Sequence, residues 1–158
     1  MAGTTIYSTR VLPDWVDYNG HLRDAFYVLV ISLATDALMD RIGLDAEYRK
    51  RTECTLFSLE MHMHWLHEVK VTDTIEVDAH VLATDKKRLH VGYDVRVVGK
   101  PAVVATADFM FLHVRQGATP GSATFPPEVE AAIEALKPPA GSEPWHGPGS
   151  RAIALGRR

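Results

Sequence analysis

The chain has 158 residues, 46% of them hydrophobic and 23% charged, with a formal net charge of −3 and a pI near 6.2. That length suits one well-filled core rather than two, and the mild negative charge offers no attraction to nucleic acid or to an anionic membrane, so neither is expected as a partner. The single cysteine, Cys54, excludes an intrachain disulfide and fits a reducing compartment as a small buried apolar side chain.

The N-terminal MAGTTIYSTR has no basic start followed by an apolar run, so no signal peptide is expected and the chain reads as cytoplasmic. TTIYSTRVL predicts a first strand. The stretch DWVDYNGHLRDAFYV then changes character half-way, because the turn formers and titratable groups Asp17, Tyr18, Asn19, Gly20 and His21 give way to AFYVLVISLATDALMDRI, residues 25–42. That run is apolar on nearly every face as far as Thr35, and too short and interrupted to span a bilayer. It reads as a helix enclosed by protein on most sides, with Asp24 as N-cap and Gly43 as its stop.

After it the period changes to two. In TLFSLEMHMHWLH, Phe57, Leu59, Met61, Met63 and Trp65 share one predicted face, and Ser58, Glu60, His62 and His64 the other. KVTDTIEVDAHVLA repeats the pattern with Val71, Ile75, Val77, Ala79 and Val81 inward, and RLHVGYDVRVV with Leu89, Val91, Tyr93, Val95 and Val97. Asp85-Lys86-Lys87 and Gly99-Lys100-Pro101 are the connections, the second leading into a fourth strand over residues 102–114. Pro126-Pro127 opens a short amphipathic helix, EVEAAIEALK. The pattern predicts an α+β domain over 1–137, a curled antiparallel sheet wrapped around the central helix, with residues 138–158 as a loose Pro/Gly-rich tail.

Two groups could carry chemistry. Asp17 lies four residues before His21, just ahead of a helix start whose first N–H groups, at Asp24 and beyond, have no internal partners. A carboxylate facing such donors is minimal equipment for acyl transfer: one group activates water or attacks, and the fixed dipoles hold the oxyanion. The same residues also suit a plain turn. Glu60, His62 and His64 share a strand face on which His-x-His can ligate zinc, but no second ligand cluster accompanies them, so no metal is expected.

RVLPDWVDYNGHLRDAFYV, the long helix and the strands ending ATADFMFLHV resemble the acyl-CoA thioesterases of the hotdog fold, in the 4-hydroxybenzoyl-CoA thioesterase-like group, over roughly Tyr7 to Arg115. Within that group the run on to TDALMDRIGLDAEYR is most similar to the betainyl-CoA thioesterases of carnitine catabolism, some of which are fused behind a carnitine dehydrogenase. The resemblance implies that Asp17 is the catalytic carboxylate, that His21 supports it, and that the Asp24 backbone N–H serves the oxyanion. It also implies a homodimer, or a homotetramer built on it, with the sheets side by side and CoA across the subunit interface, and hydrolysis without metal or redox cofactor. Many relatives carry two asparagines where this chain has Arg23 and Asp24, which keeps the backbone donors but not those side chains.

A quaternary ammonium acyl group calls for aromatic faces, and Trp15, Tyr18, Tyr27, Phe57 and Trp65, with Arg23 beside the turn, are the candidate substrate contacts. Lys86, Lys87 and Arg88 are the candidate clamp for CoA phosphates. An acyl-CoA hydratase or dehydratase of the same fold, and a non-catalytic acyl-CoA-binding module, are the alternatives.

Overall fold

The computed structural model describes residues 3–147. Its elements are β1 (Thr4–Arg10), a 3₁₀ turn at Pro13–Trp15, α1 (Asp24–Arg41), α2 (Ala46–Thr52), β2 (Cys54–Trp65), β3 (Thr74–Thr84), β4 (Arg88–Val97), β5 (Val103–Arg115), β6 (Gly121–Ser122) and α3 (Pro127–Ala135). The strands form one antiparallel sheet in the order β1-β3-β4-β5-β2, with β6 on the end of β5.

Although Asp78, His80 and Gly92 on the outer face are buried as well, side-chain alternation puts Leu89, Val91, Tyr93, Val95 and Val97 of β4 on the inner face beside Ile75, Val77, Ala79 and Val81 of β3. Ala105, Ala107, Phe109 and Phe111 extend this face along β5. It curls over α1, which inserts Tyr27, Val30, Ile31, Ala34 and Leu38 at spacings of three and four. This is the hotdog architecture, with α3 as the short C-terminal helix that buries Val129 and Ile133.

Several expectations are corrected. One side of α1 is open, with Ala25, Leu29, Ser32, Asp36 and Asp40 exposed, because a single sheet walls only one side of a helix. Asp24 is the first helical residue and Arg23 the cap position; the Asp24 carboxylate accepts from the N–H of Ala25 at 2.8 Å. Val71 sits in the turn before β3 and belongs to no strand. The alternation of β2 breaks at a bulge between Ser58 and Glu60. One extra residue reverses the pleat, so Phe57 pairs with Leu112 on the outer face, whereas Met61, Met63 and Trp65 pair with Phe109, Ala107 and Ala105 on the helix side. β2 is moreover an edge strand, and its apolar residues are open: Phe57 46%, Leu59 55%, Met61 39% and Trp65 51% exposed.

α2 and β6 go beyond the sequence reading. α2 is capped by Asp45, whose carboxylate accepts from the N–H of Tyr48 at 2.8 Å. Residues 148–158 of the expected tail lie outside the described residues. Before them the chain is not loose throughout: Trp145 lies over Gly92, where a Cβ would come within 2.6 Å of its ring, and donates to Asp94 Oδ1 at 2.9 Å. The indole finds a partner on a glycine-floored patch, which offsets the polar composition around it. Among the described residues, no helix is long and apolar enough to cross a membrane.

Candidate active site

The segment Val16–Leu22 is a tight hairpin. Val16 bridges Leu22, the Asp17 N–H donates to the His21 carbonyl at 2.8 Å, and the Gly20 N–H donates to the Asp17 carbonyl at 3.0 Å. Gly20 has φ +76°, a left-handed conformation that a side chain would strain. Two further contacts fix the hairpin to the segment after β2: the Leu22 N–H donates to the Val69 carbonyl at 2.8 Å, and His21 bridges Lys70. The Arg23 N–H donates to the Trp15 carbonyl at 3.0 Å, and α1 starts from there.

Within this frame Asp17 does two things. Its Oδ1 accepts the N–H of Asn19 at 2.8 Å and that of His21 at 3.1 Å, tying the turn. These bonds, the one from His21 foremost, hold its carboxyl below the usual carboxylate range, so it is ionised at neutral pH. Oδ2 has no hydrogen-bond donor among the described residues. The turn therefore occupies one oxygen of this side chain and leaves the other without a donor among the described residues.

Asp17 opens onto a cleft of about 370 Å³, whose lining also includes His21, Asp24, Tyr27 and Trp65. Five further lining residues, Asn19, Leu22, Leu66, His67 and Glu68, were not singled out as site candidates in the sequence. The signal for the last three was the point at which alternation stops after Trp65, since a strand that ends in a polar His-Glu pair has turned toward something else. Glu68 Oε2 is 3.1 Å from His21 Nε2. The Tyr27 hydroxyl donates to the His67 carbonyl at 3.4 Å, and burial, then the charge of Glu68, pushes that phenol up to about 12. At the start of α1 the Ala25 N–H is taken by Asp24 and the Phe26 N–H by the Arg23 carbonyl, which leaves the Asp24 N–H without an acceptor among the described residues.

The model of the thioesterase-like superfamily matches residues 11–133, a span that includes this turn, α1 and the whole of β2–β5. A betainyl-CoA thioesterase from Pseudomonas aeruginosa is 51% identical over 132 residues, 84% of this chain and 82% of that protein. The chain belongs to the thioesterase-like superfamily. It is a thioester hydrolase, which sets aside the hydratase and the non-catalytic module. An L-carnitine dehydrogenase/betainyl-CoA thioesterase from Agrobacterium fabrum is 36% identical over 95% of this chain, which matches 31% of that longer protein. Among solved structures, a proposed thioesterase from Pseudomonas putida KT2440 superposes with a TM-score of 0.84 at 41% identity, covering 99% of both chains. A Staphylococcus aureus protein solved in complex with CoA shares the fold, with a TM-score of 0.87 at 24% identity over 99% of this chain and 98% of that one.

The remaining candidate residues of this thioesterase lie elsewhere. Trp15 stacks on Phe26, ring centroids 5.6 Å apart, and Tyr18 is 94% exposed; neither lines the cleft. The Arg23 Nε donates to the Val16 carbonyl at 3.1 Å. Phe57 borders a separate groove of about 620 Å³ with Leu112, Val114 and Arg115. The basic corner is at that same end, since Arg88 pairs with Leu112 whereas Trp65 pairs with Ala105. Seven residues of strand separate the two pairs, roughly 23 Å at about 3.3 Å each.

In the corner itself Asp85 binds Arg88 through Nε at 2.7 Å and Nη2 at 2.6 Å, and its carboxyl is lowered to about 2, mainly by the N–H of Lys87 and then by Arg88. Lys87 Nζ donates to Ser122 Oγ at 3.3 Å, and Lys86 is exposed. On the outer face, His62 Nδ1 and His90 Nε2 each lie 3.6 Å from Asp108 Oδ1. Among the described residues no group of three side chains has metal-holding geometry.

Proposed function

We propose that this thioesterase hydrolyses betainyl-CoA to betaine and CoA, in the cytoplasm, with Asp17 as its catalytic carboxylate. The observation that carries the reading is the division of labour at Asp17, whose Oδ1 is fixed by the turn while Oδ2 has no donor among the described residues, in a cleft whose lining also includes Asp24. The name of the P. aeruginosa relative supports the acyl group.

With the thioester carbonyl at the start of α1, Asp17 Oδ2 takes a proton from water, and the hydroxide adds to the carbonyl carbon. The oxyanion that forms is stabilised by the Asp24 N–H. Collapse breaks the C–S bond, and the CoA thiolate leaves with the proton from Asp17. His21, paired with Glu68, orients the turn and the thioester. This chemistry needs no metal or redox group.

The CoA tail requires a second chain in this reading. The unpaired edge of β2, with Leu59 and Met61 open on it, is a surface that a second copy covers by antiparallel pairing. Such pairing reverses one strand against the other and brings the end bearing Lys86, Lys87 and Arg88 of one protomer beside the Asp17 cleft of its partner.

Thiol release measured over a panel of acyl-CoAs tests the substrate, with betainyl-CoA preferred over its neutral isostere 3,3-dimethylbutyryl-CoA. Equal turnover of the two removes the betainyl assignment and leaves the thioesterase. Single turnover in ¹⁸O-water tests the step: label in betaine and none in Asp17 is expected, whereas label in the Asp17 carboxylate means attack by that group through a mixed anhydride.

A further inference from the structure

Building on the betainyl-CoA reading, we propose that Glu68 selects for the cationic acyl group, its carboxylate holding the trimethylammonium at the mouth of the cleft against the exposed ring of Trp65. A quaternary ammonium cannot donate a hydrogen bond, so it is recognised by unbonded negative charge and by aromatic faces. The lining supplies both and, among the described residues, contains no lysine or arginine.

Of the three carboxylates there, two are committed to backbone. Asp17 Oδ1 ties its turn, and Asp24 Oδ1 caps the N–H of Ala25. Glu68 has no such duty. Oε2 is 3.1 Å from His21 Nε2, and the side chain, 72% exposed, lines the cleft.

Its position is fixed from both sides, because the carbonyl of His67 accepts from the Tyr27 hydroxyl and that of Val69 accepts from the Leu22 N–H. The segment thereby holds Glu68 beside the hairpin of Asp17 and His21 and next to the residue that accepts from the Tyr27 hydroxyl. A cation one methylene from the thioester carbonyl, as in betainyl-CoA, then lies within a side chain's reach of the reacting carbon.

A role confined to holding His21 makes a different prediction, since it would serve every acyl group alike. The decisive measurement is therefore a ratio: kcat/KM for betainyl-CoA over kcat/KM for 3,3-dimethylbutyryl-CoA, in the full-length enzyme. Glu68→Gln is expected to lower this ratio about tenfold, the scale of one partly screened charge pair, and Glu68→Asp to keep most of it. Raising the salt concentration should shrink the wild-type ratio and barely change that of Glu68→Gln.

Equal loss on both substrates in Glu68→Gln overturns the proposal in favour of a positioning role through His21, and an equal fall in ratio for the Asp and Gln variants shows that charge is not what is read. A wild-type ratio near one sinks the betainyl reading itself, and Glu68's selectivity with it. A wild-type preference that survives in Glu68→Gln sinks Glu68 alone.

Discussion

At the Trp65 end of β2 the cleft is lined by Asp17, Asp24 and Glu68, with no lysine or arginine among the described lining residues, whereas the Phe57 end borders Arg115 and the hairpin that carries Lys86, Lys87 and Arg88. A thioester that joins a cationic acyl group to a polyanionic nucleotide needs both kinds of surface. One chain holds them at opposite ends of a strand whose remaining edge has no partner among the described residues and leaves Leu59 and Met61 open. The contrast teaches that the two kinds of surface lie too far apart on one protomer to serve one thioester, and the proposed antiparallel pairing would complete each from another copy.

The largest expected effect breaks the acidic end alone. In Asp17→Asn the side-chain oxygen still accepts from Asn19 and His21, so the melting temperature should be nearly unchanged while kcat falls by on the order of a hundredfold or more. A folded variant with near-normal turnover would remove Asp17 from the chemistry.

Next comes the edge that joins the two ends. Placing charges there, as Leu59→Glu with Met61→Glu, should convert the proposed dimer to a monomer by sedimentation and lower kcat/KM by roughly tenfold or more, because like charges would face each other across the strand pair. Retained dimer mass with full activity would locate the interface elsewhere.

A smaller effect sharpens the basic end. Lys86→Glu with Lys87→Glu should raise KM for CoA thioesters about fivefold and leave a pantetheine thioester without the nucleotide nearly unaffected. Equal changes on the two substrates would place this hairpin away from CoA.

The smallest lies behind the basic end, at His113. Its Nε2 is 3.0 Å from the Tyr48 hydroxyl and its Nδ1 3.0 Å from the Ala123 carbonyl, and burial favours the neutral ring, lowering its basicity. Because the folded state binds this proton less well than the unfolded chain, the contribution is complete above about pH 6.5 and is lost as pH falls below it. The melting temperature should decline from pH 7 to pH 5, with a shallower slope in His113→Gln; identical slopes would assign the decline to other groups.

How much of this was legible differs from element to element. The apolar run after Asp24 and the alternation of β3 and β4 required a helix and strands, since each pattern buries a face only at its own period. Asp17, Gly20 and His21 were legible as a turn before a helix, and the left-handed Gly20 and the two N–H bonds to Asp17 follow from those residue types. Resemblance added the chemistry that turn propensity alone could not.

Other features came only from the tertiary structure. The bulge in β2 sends Phe57 to the outer face and Trp65 to the cleft, although the sequence alternates without a break, because pairing with β5 sets the pleat. Glu68 enters the site through contacts with residues more than forty positions away, and Trp145 finds its glycine floor across the sheet; neither has a local signature. Local sequence determined which segments are helix, strand or turn, since backbone preference and side-chain period act over a few residues. Which side chains share a cleft, and which apolar edge is left uncovered, was decided by strand order and register, which depend on contacts across the whole chain.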